Sequence, residues 1–591
     1  MISMAFDSIA LTALMAELET LVGARVSRIQ QPSQLETVFT MRGSNGNKRL
    51  LISAHPERAR IHLTTASYTN PSQPPGFCMY LRRHLEGSRL ERITRPESER
   101  IVYLHFAARD ELGDERPLLL IVEAMGRHSN IIVVNQKQNI ILNAIKPIPA
   151  AISRYRQVLP GLPYKSPPPQ NKLHLSSLTE LEFYLELRQR GRRPAQALLA
   201  TIAGLSPLWA EELVVRSGLE DTLNIKSATQ TELRPLWREV GTLRESLWRA
   251  EFKPTVYLEP EGRAVSVAPL PLVRYARLSV KSFPTMSAAL DYYFQAKERE
   301  VQFSALQQSL LTKLRHQIER VEKKLALHFE AIQNAKKADR YRKFGELLLA
   351  YAYQLTSAGL TEVQLPDWTE AGTQVVVPLD PALTPVENAQ RYFARYNKAK
   401  KTLTAAQHQK QQDQADLSYF ESVLLAVEEA DSLPELEEIK AELTTEGYIK
   451  KEATSRLHKD KVSPDSKPLS FAIDGYAVFV GKNNRQNDYL TLRLAQNDDI
   501  WLHTQNIPGS HVIIRCPDGQ LPPQDVLLQA AHLAAYYSRA RASSNVPVDY
   551  TRCRQVKKPR GARPGFVTYS QQQTVYVTPD PSTIKALKGR P

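Results

Sequence analysis

The chain has 591 residues, too many for one hydrophobic core, and its 42% hydrophobic and 24% charged residues are ordinary for globular protein. Lys and Arg number 77 against 62 Asp and Glu, a formal charge of +15 that suits a polyanionic partner without separating a nucleic-acid binder from a merely basic protein. Three scattered cysteines, Cys78, Cys516 and Cys553, rule out a disulfide framework and a CxxC metal site and suit a reducing cytoplasm.

Residues 1–21 lack a basic leader, and Asp7, Glu17 and Glu19 interrupt their apolar run, so neither a signal peptide nor a membrane span is expected. Met1 and Met4 are both possible starts, and Asp7 is a candidate N-cap for an amphipathic helix over 9–21. A first domain over 1–165 follows, with strands predicted at 25–30, 37–41, 49–54, 101–106, 118–123, 130–135 and 139–144. Residues 43–47 read as a hairpin turn, and the proline-rich run 147–170 reads as a linker. Residues 173–250 are helical and contain Gly204-Leu205-Ser206-Pro207, a glycine turn feeding a helix with a Ser N-cap and Pro in its first turn. Such a helix-hairpin-helix can aim free amides at a phosphate. An ordinary turn between packed helices explains the same residues at least as well.

Two helical arms are expected over 285–430. Leu311, Leu314, Ile318, Val321, Leu325 and Ile332 alternate in steps of three and four, with His328 in the missing place. Tyr392, Tyr396, Ala399, Leu403, Ala406, Leu417, Phe420, Leu424 and Val427 keep the register on the second arm, broken by Lys410 and Asp413. An antiparallel coiled coil with a small capping module over about 346–385 fits, then a connector at 433–450. The last domain, 465–580, is predicted as α+β: strands at 471–480 and 489–494 joined through residues 481–485, two more at 499–503 and 511–515, and a helix at 524–541. From Thr551 onward nine Lys or Arg face one acid, Asp580, and 581–591 reads as a basic tail. No phosphate loop, dinucleotide fingerprint, zincin or nucleophile elbow occurs. His503 and His511 lack a third ligand at sensible spacing, so neither metal nor cofactor is expected. The fold class is multidomain α+β.

Several segments resemble the NFACT family in its domain order. They are Met4-Ala5-Phe6-Asp7, Glu123-Ala124-Met125-Gly126-Arg127-His128-Ser129-Asn130, Asn388-Ala389-Gln390-Arg391-Tyr392-Phe393, Gly481-Lys482-Asn483-Asn484, Trp501-Leu502-His503, Pro508-Gly509-Ser510-His511 and the run from Val556 to Gly565. The resemblance covers nearly the whole chain. It implies a glycosylase-like N-terminal domain, an NFACT-R RNA-binding domain at the C-terminus, and a ribosome quality-control role. Its partners would be the obstructed large ribosomal subunit, peptidyl-tRNA and aminoacyl-tRNA (alanyl-tRNA in bacterial relatives), with no membrane and no DNA. The factor would promote mRNA-independent alanine tailing while the ribosome performs peptide transfer, so it would not itself be an enzyme. The resemblance implies tRNA contact at Glu99, Arg100, Arg127, His128 and Asn130. It implies RNA phosphate contact at Lys482, Asn483, Asn484, Arg485, His503, Ser510, His511, Lys557, Lys558, Arg560 and Arg563. Glu99 stands where the family carries Asp, which keeps open an RNA-binding protein without tailing activity. A DNA glycosylase would need an N-terminal proline that is absent here, and a fibronectin-binding adhesin would need a secretion signal.

Overall fold

The computed structural model describes residues 6–44, 46–109, 114–355, 359–369, 373–450 and 467–588, so both candidate start residues lie outside the described residues. The chain forms two compact units, Met1–Glu300 and Val301–Pro591.

In the first unit, α1 (Ser8–Glu19) begins at Asp7, whose side chain accepts from the Ala10 amide at 2.8 Å. Strands β1 (Arg25–Ser33), β2 (Glu36–Gly43), β3 (Gly46–Ser53) and β4 (Arg60–Leu63) follow, then α2 (Gly76–Leu85) and β5 (Arg89–Thr94). The chain continues through β6 (Ile101–Arg109), β7 (Glu115–Glu123), β8 (Asn130–Asn135) and β9 (Ile140–Ala144). They form one antiparallel sheet in the order β4-β3-β2-β1-β5-β6-β7-β8-β9. Alternation splits the apolar side chains between its faces. Leu118, Leu120 and Val122 join the main core under α1 and α2, whereas Ile121, Ile132 and Val134 form a second cluster with Val158.

That second cluster corrects the expected linker. Residues 148–165 lie along the sheet: Ile148 pairs with Val158, and Ile140 bridges to Pro163. Arg156 grips the fully buried Glu123 with two hydrogen bonds of 2.7 and 2.5 Å, and Tyr164 donates to the same carboxylate at 3.0 Å.

Four helices follow, α3 (Glu180–Arg190), α4 (Pro194–Thr201), α5 (Pro207–Ser217) and α6 (Gln230–Arg249), packed round Phe183, Trp209, Leu213 and Leu236. Capping boxes start α3 at Thr179 and α6 at Thr229. A three-stranded sheet not expected from the sequence, β10 (Thr255–Leu258), β11 (Ala264–Ala268) and β12 (Ser279–Ser282), precedes α7 (Met286–Lys336). The start of α7 is tied to β4 by Asp291, which meets the buried His62 ring at 3.0 Å and accepts from Thr64 Oγ1 at 2.7 Å.

The unit boundary falls inside α7. In the second unit, α8 (Asp339–Ala350) and the hairpin β13 (Glu362–Pro366) and β14 (Gln374–Pro378) build a small module with its own core. The long helix α9 (Pro385–Glu429) then returns against α7. Gln307 donates to the Val427 carbonyl at 3.0 Å and His328 meets the Asp413 carboxylate at 3.0 Å, so numbers rise on one helix as they fall on the other. Two of the three residues that interrupt the apolar steps, His328 and Asp413, are thus each other's partners. α10 (Leu433–Thr445) folds back on α9 through Leu436, Ile439 and Leu443.

The C-terminal sheet has the order β15-β16-β18-β17-β19-β22, from β15 (Leu469–Ile473), β16 (Tyr476–Val480), β17 (Ile500–Thr504), β18 (Val512–Ile514), β19 (Val546–Arg552) and β22 (Gln573–Val577). The single strand expected over 471–480 is a hairpin, because Asp474 and Gly475 take φ of 45° and 86° and reverse the chain. The strand expected over 489–494 is helical: α11 (Asn484–Tyr489) runs into a π-turn over Leu490–Leu494. The expected joining turn at 481–485 is instead the start of that helix, with Asn483 as N-cap accepting from Gln486 at 2.9 Å. α12 (Gln524–Tyr536) covers the sheet. The ribbon β20 (Val556–Lys557) and β21 (Thr568–Tyr569) stands apart as a two-stranded sheet. The expected tail is largely α13 (Pro581–Lys588), whose Ile584 and Leu587 are buried in the domain core; 589–591 fall outside the described residues.

Candidate nucleic-acid interface

In the first unit the candidate residues gather round a buried carboxylate. Asp7 is 4% exposed, and its second oxygen accepts from Ser206 Oγ at 2.6 Å. Burial raises its pKa, opposed by the Ser206 hydroxyl, the Ala10 amide and the Arg100 charge. Arg100 is partly buried, and desolvation lowers its pKa against the support of Asp7 and Glu99. The half-buried Glu99 has its pKa raised by burial, opposed by Arg100, His174 and Lys172. This loop is held from the helical region: His174 lies 3.2 Å from Ser98 Oγ, and Ser176 donates to Glu97.

The glycine turn belongs to the same contact. Gly204 has φ of +75°, and a Cβ there would lie 2.6 Å from the Ser98 carbonyl oxygen and 2.9 Å from Ser8 Oγ. The turn therefore presses onto the N-terminal domain, and its glycine serves close packing inside the unit rather than an open phosphate cradle.

Arg127 and His128 stand exposed on a short 3-10 turn, with Arg127 Nε donating to His128 Nε2 at 3.0 Å. Asn130 differs. It is fully buried, donates to the Lys146 carbonyl at 2.8 Å, and accepts from the Ile131 and Lys146 amides at 2.9 and 3.1 Å. Its amide is committed to the fold. Ala124 donates to the Arg100 carbonyl at 2.8 Å, so the loop bearing Arg100 and the segment leading to Arg127 are adjacent.

In the second unit some of the expected phosphate-contact residues bond to the chain's own groups and others stand exposed. Lys482 pairs with the buried Glu435, Asn483 donates to Glu438 at 2.9 Å, and Asn484 donates to Ser422 at 2.9 Å and Glu442 at 3.3 Å. Arg485 donates to Thr445 at 2.9 Å. These four residues bind the chain's own α9 and α10. Arg539 and Arg541 extend the seam by pairing with Glu421 and Glu429. Glu442 is the deepest carboxyl there, 1% exposed, and burial raises its pKa to about 7 against hydrogen bonds from Tyr419 and Asn484.

His503 and His511 stack in an edge-on pair at 5.4 Å beside Trp501, and His511 Nδ1 lies 2.7 Å from Thr491 Oγ1. Burial lowers both imidazole pKa values, that of His511 well below the ordinary range, so both rings are neutral at neutral pH. Ser510 is tied by its amide to the Tyr537 carbonyl and lines a cavity of about 260 Å³ with Glu429, Lys482 and Arg541. Lys558 pairs with Asp488, and Arg563 pairs with Asp416 at 2.5 Å beneath Tyr419 and Tyr448. Lys557 and Arg560 remain exposed. Sequence reasoning missed Lys172 and His174 round Glu99, and the exposed Phe566 just before β21. Lys172 and His174 gave no signal because their proximity depends on the tertiary fold.

Among the described residues no group of three or more His, Cys, Asp or Glu could hold a metal ion, and no helix is long and apolar enough to cross a membrane. The family model for NFACT N-terminal and middle domains matches residues 7–462, and that for the NFACT protein RNA binding domain matches 469–570. The Bacillus subtilis (strain 168) protein named Rqc2 homolog RqcH is 37% identical over 592 aligned residues, covering 99% of this chain and 100% of that protein. A protein of the same name from Streptococcus suis is 34% identical over 588, with 99% and 100% covered. The solved C-terminal part of a Streptococcus suis fibronectin/fibrinogen-binding protein is 33% identical and covers 48% of this chain and 98% of its own, at a TM-score of 0.38. With both family models matching in order and full-length relatives above 30% identity, the chain belongs to the NFACT family.

Proposed function

We propose that this protein is a ribosome quality-control factor that binds RNA. It would engage the obstructed large subunit with its peptidyl-tRNA, recruit aminoacyl-tRNA, alanyl-tRNA first among candidates, and promote mRNA-independent tailing of the stalled chain in the cytoplasm. The observation that carries this reading is the 37% identity, end to end, with a protein named Rqc2 homolog RqcH. The chemistry agrees with a positioning factor: apart from Glu99 the candidate residues are polar or cationic groups suited to holding RNA, and peptide transfer is left to the ribosome. The paired helices α7 and α9 act as an antiparallel coiled-coil arm, and α4 and α5 as a helix-hairpin-helix whose turn braces the loop of Glu99 and Arg100.

Glu99 favours a second reading, RNA binding without tailing. Its carboxyl reaches one methylene further than Asp, and burial makes it a weaker acid than usual. The test is recovery of tagged protein with sequencing of its bound RNA and mass spectrometry of stalled chains. Large-subunit rRNA with a restricted tRNA set and alanine tails supports tailing. The same RNA without tails supports the second reading, and Glu99→Asp would then gain tailing. Free protein, or equal small-subunit rRNA, contradicts both.

A further inference from the structure

The basic run from Val556 to Gly565 closes the loop between β20 and β21, and its two ends are fixed to the domain. Lys558 pairs with Asp488, which also accepts from the Gly565 amide at 3.1 Å. Arg563 is clamped on Asp416. Gly565, at φ of +78°, lies so close to Asn484 that a Cβ would fall 2.4 Å from its Oδ1. Inside the loop, Ala562 donates to the Pro559 carbonyl at 3.1 Å and Phe566 to the Arg563 carbonyl at 3.2 Å.

What this frame presents outward is specific. Val556, Val567 and Tyr569 join the apolar cluster under Trp501, and the alternating residues Lys557, Phe566 and Thr568 are exposed. Lys557 pairs across the ribbon with Thr568, so both lie on one face, and Phe566 stands exposed in the loop just before β21. Phe566 is 51% exposed and lies outside every apolar cluster. Among the described residues neither the Lys557 ammonium nor the Arg560 guanidinium meets a carboxylate, while the neighbouring cations Arg554, Lys558 and Arg563 each do.

We propose that this ribbon is a contact for an unpaired RNA nucleotide, with Phe566 stacking on the base and Lys557 and Arg560 taking the flanking phosphates. An exposed aromatic ring on the same segment as two exposed cations fits an unstacked base, since every base offers a π-face and duplex RNA conceals it. The fixed loop means little conformational freedom is lost on binding. Lys482, Asn483 and Arg485, bound to α10, take no part. The inference rests on the RNA-binding reading above and narrows it to one surface and one state of the RNA.

The test uses the full-length chain with a fluorescent single-stranded RNA, the same RNA fully paired, and unmodified tRNA. Phe566→Ala should weaken single-strand binding about tenfold, as the loss of one stacked base does, and leave duplex binding within twofold. Phe566→Trp should restore it and Phe566→Leu should not. Lys557→Gln with Arg560→Gln should flatten the slope of log affinity against log salt by about 1.4 on single strands. Equal binding by Phe566→Ala and wild type, or full rescue by Leu, overturns the inference while the wider reading stands. Wild-type protein that binds neither tRNA nor either RNA overturns the wider reading instead. Unfolding midpoints of the variants should match wild type, because Phe566 packs in no cluster; a large drop would show a structural role and also overturn the inference.

Discussion

The two units treat charge in opposite ways. In the first, polar groups converge on the buried carboxylate of Asp7, with Ser206, the Ala10 amide and Arg100 round it and Glu99 at the margin. In the second, carboxylates of α9 and α10 face cations of the C-terminal domain in a row, Glu421 to Arg539, Glu429 to Arg541 and Glu435 to Lys482. A converging cluster positions one or two side chains with little freedom. A row of opposed charges joins two surfaces and leaves for a partner only the cations it does not use. Family motifs mark both kinds of residue alike, so burial and partners must separate binding from bracing.

The largest effect should come from the first unit. Asp7→Ala removes a helix cap, takes the acceptor from the Ser206 hydroxyl proton and leaves Arg100 with Glu99 but without the buried charge of Asp7, so the unit should lose about 3–5 kcal/mol in urea unfolding. Asp7→Asn, whose amide oxygen can still accept from the Ala10 amide while its NH2 donates to the Ser206 hydroxyl oxygen, should lose clearly less. Equal losses would mean that the charge, and not the hydrogen-bond geometry, organises the cluster.

In the second unit Glu442 gives a pH signature. Its folded-state pKa, about 7, exceeds the ordinary 4.5, so the folded chain keeps a proton that the unfolded chain has released. Stability contributed by this group is therefore greatest at low pH, falls as pH rises from about 4.5 to about 7, and is level above. Glu442→Gln should abolish that slope and stabilise the protein at pH 8 by at most about 3 kcal/mol. Chemical denaturation across the pH range checks it; an unchanged slope would place the titration elsewhere.

Lys482→Ala should cost about 2–3 kcal/mol by stranding Glu435, and should change RNA affinity less than twofold in titrations with tRNA. A large affinity loss with unchanged stability would return Lys482 to the binding surface. Arg127→Gln is expected to be the mildest, within about 0.5 kcal/mol in stability because the side chain is exposed, with a few-fold loss of tRNA affinity.

Much of the fold was legible because burial imposes a period. The strands from Ile101 to Ala144 and the seams of α7 and α9 follow directly from apolar spacing, and even the breaks at His328 and Asp413 proved to be partners. Where the reading failed, a local signal was overruled or overlooked. Leu490-Thr491-Leu492-Arg493-Leu494 alternates like a strand, yet the Asn483 cap starts a helix that carries through it. Asp474-Gly475 is a strong hairpin turn inside what read as one apolar run. The proline-rich run looked like a linker because its anchor, Arg156 on Glu123, joins residues 33 apart. The site was less legible than the fold. Asn130 and the Lys482–Arg485 segment carry the right chemistry for RNA, and only tertiary contacts show them bonded to the chain's own groups.

The central claim is that this chain acts on large ribosomal subunits through RNA. Affinity purification of the tagged protein from cells, with sequencing of the copurifying RNA at low ionic strength, tests it most directly. The account predicts large-subunit rRNA far above small-subunit rRNA, together with a narrow set of tRNAs. Recovery of the protein without either RNA, or with both subunits' rRNA in equal amounts, would contradict it.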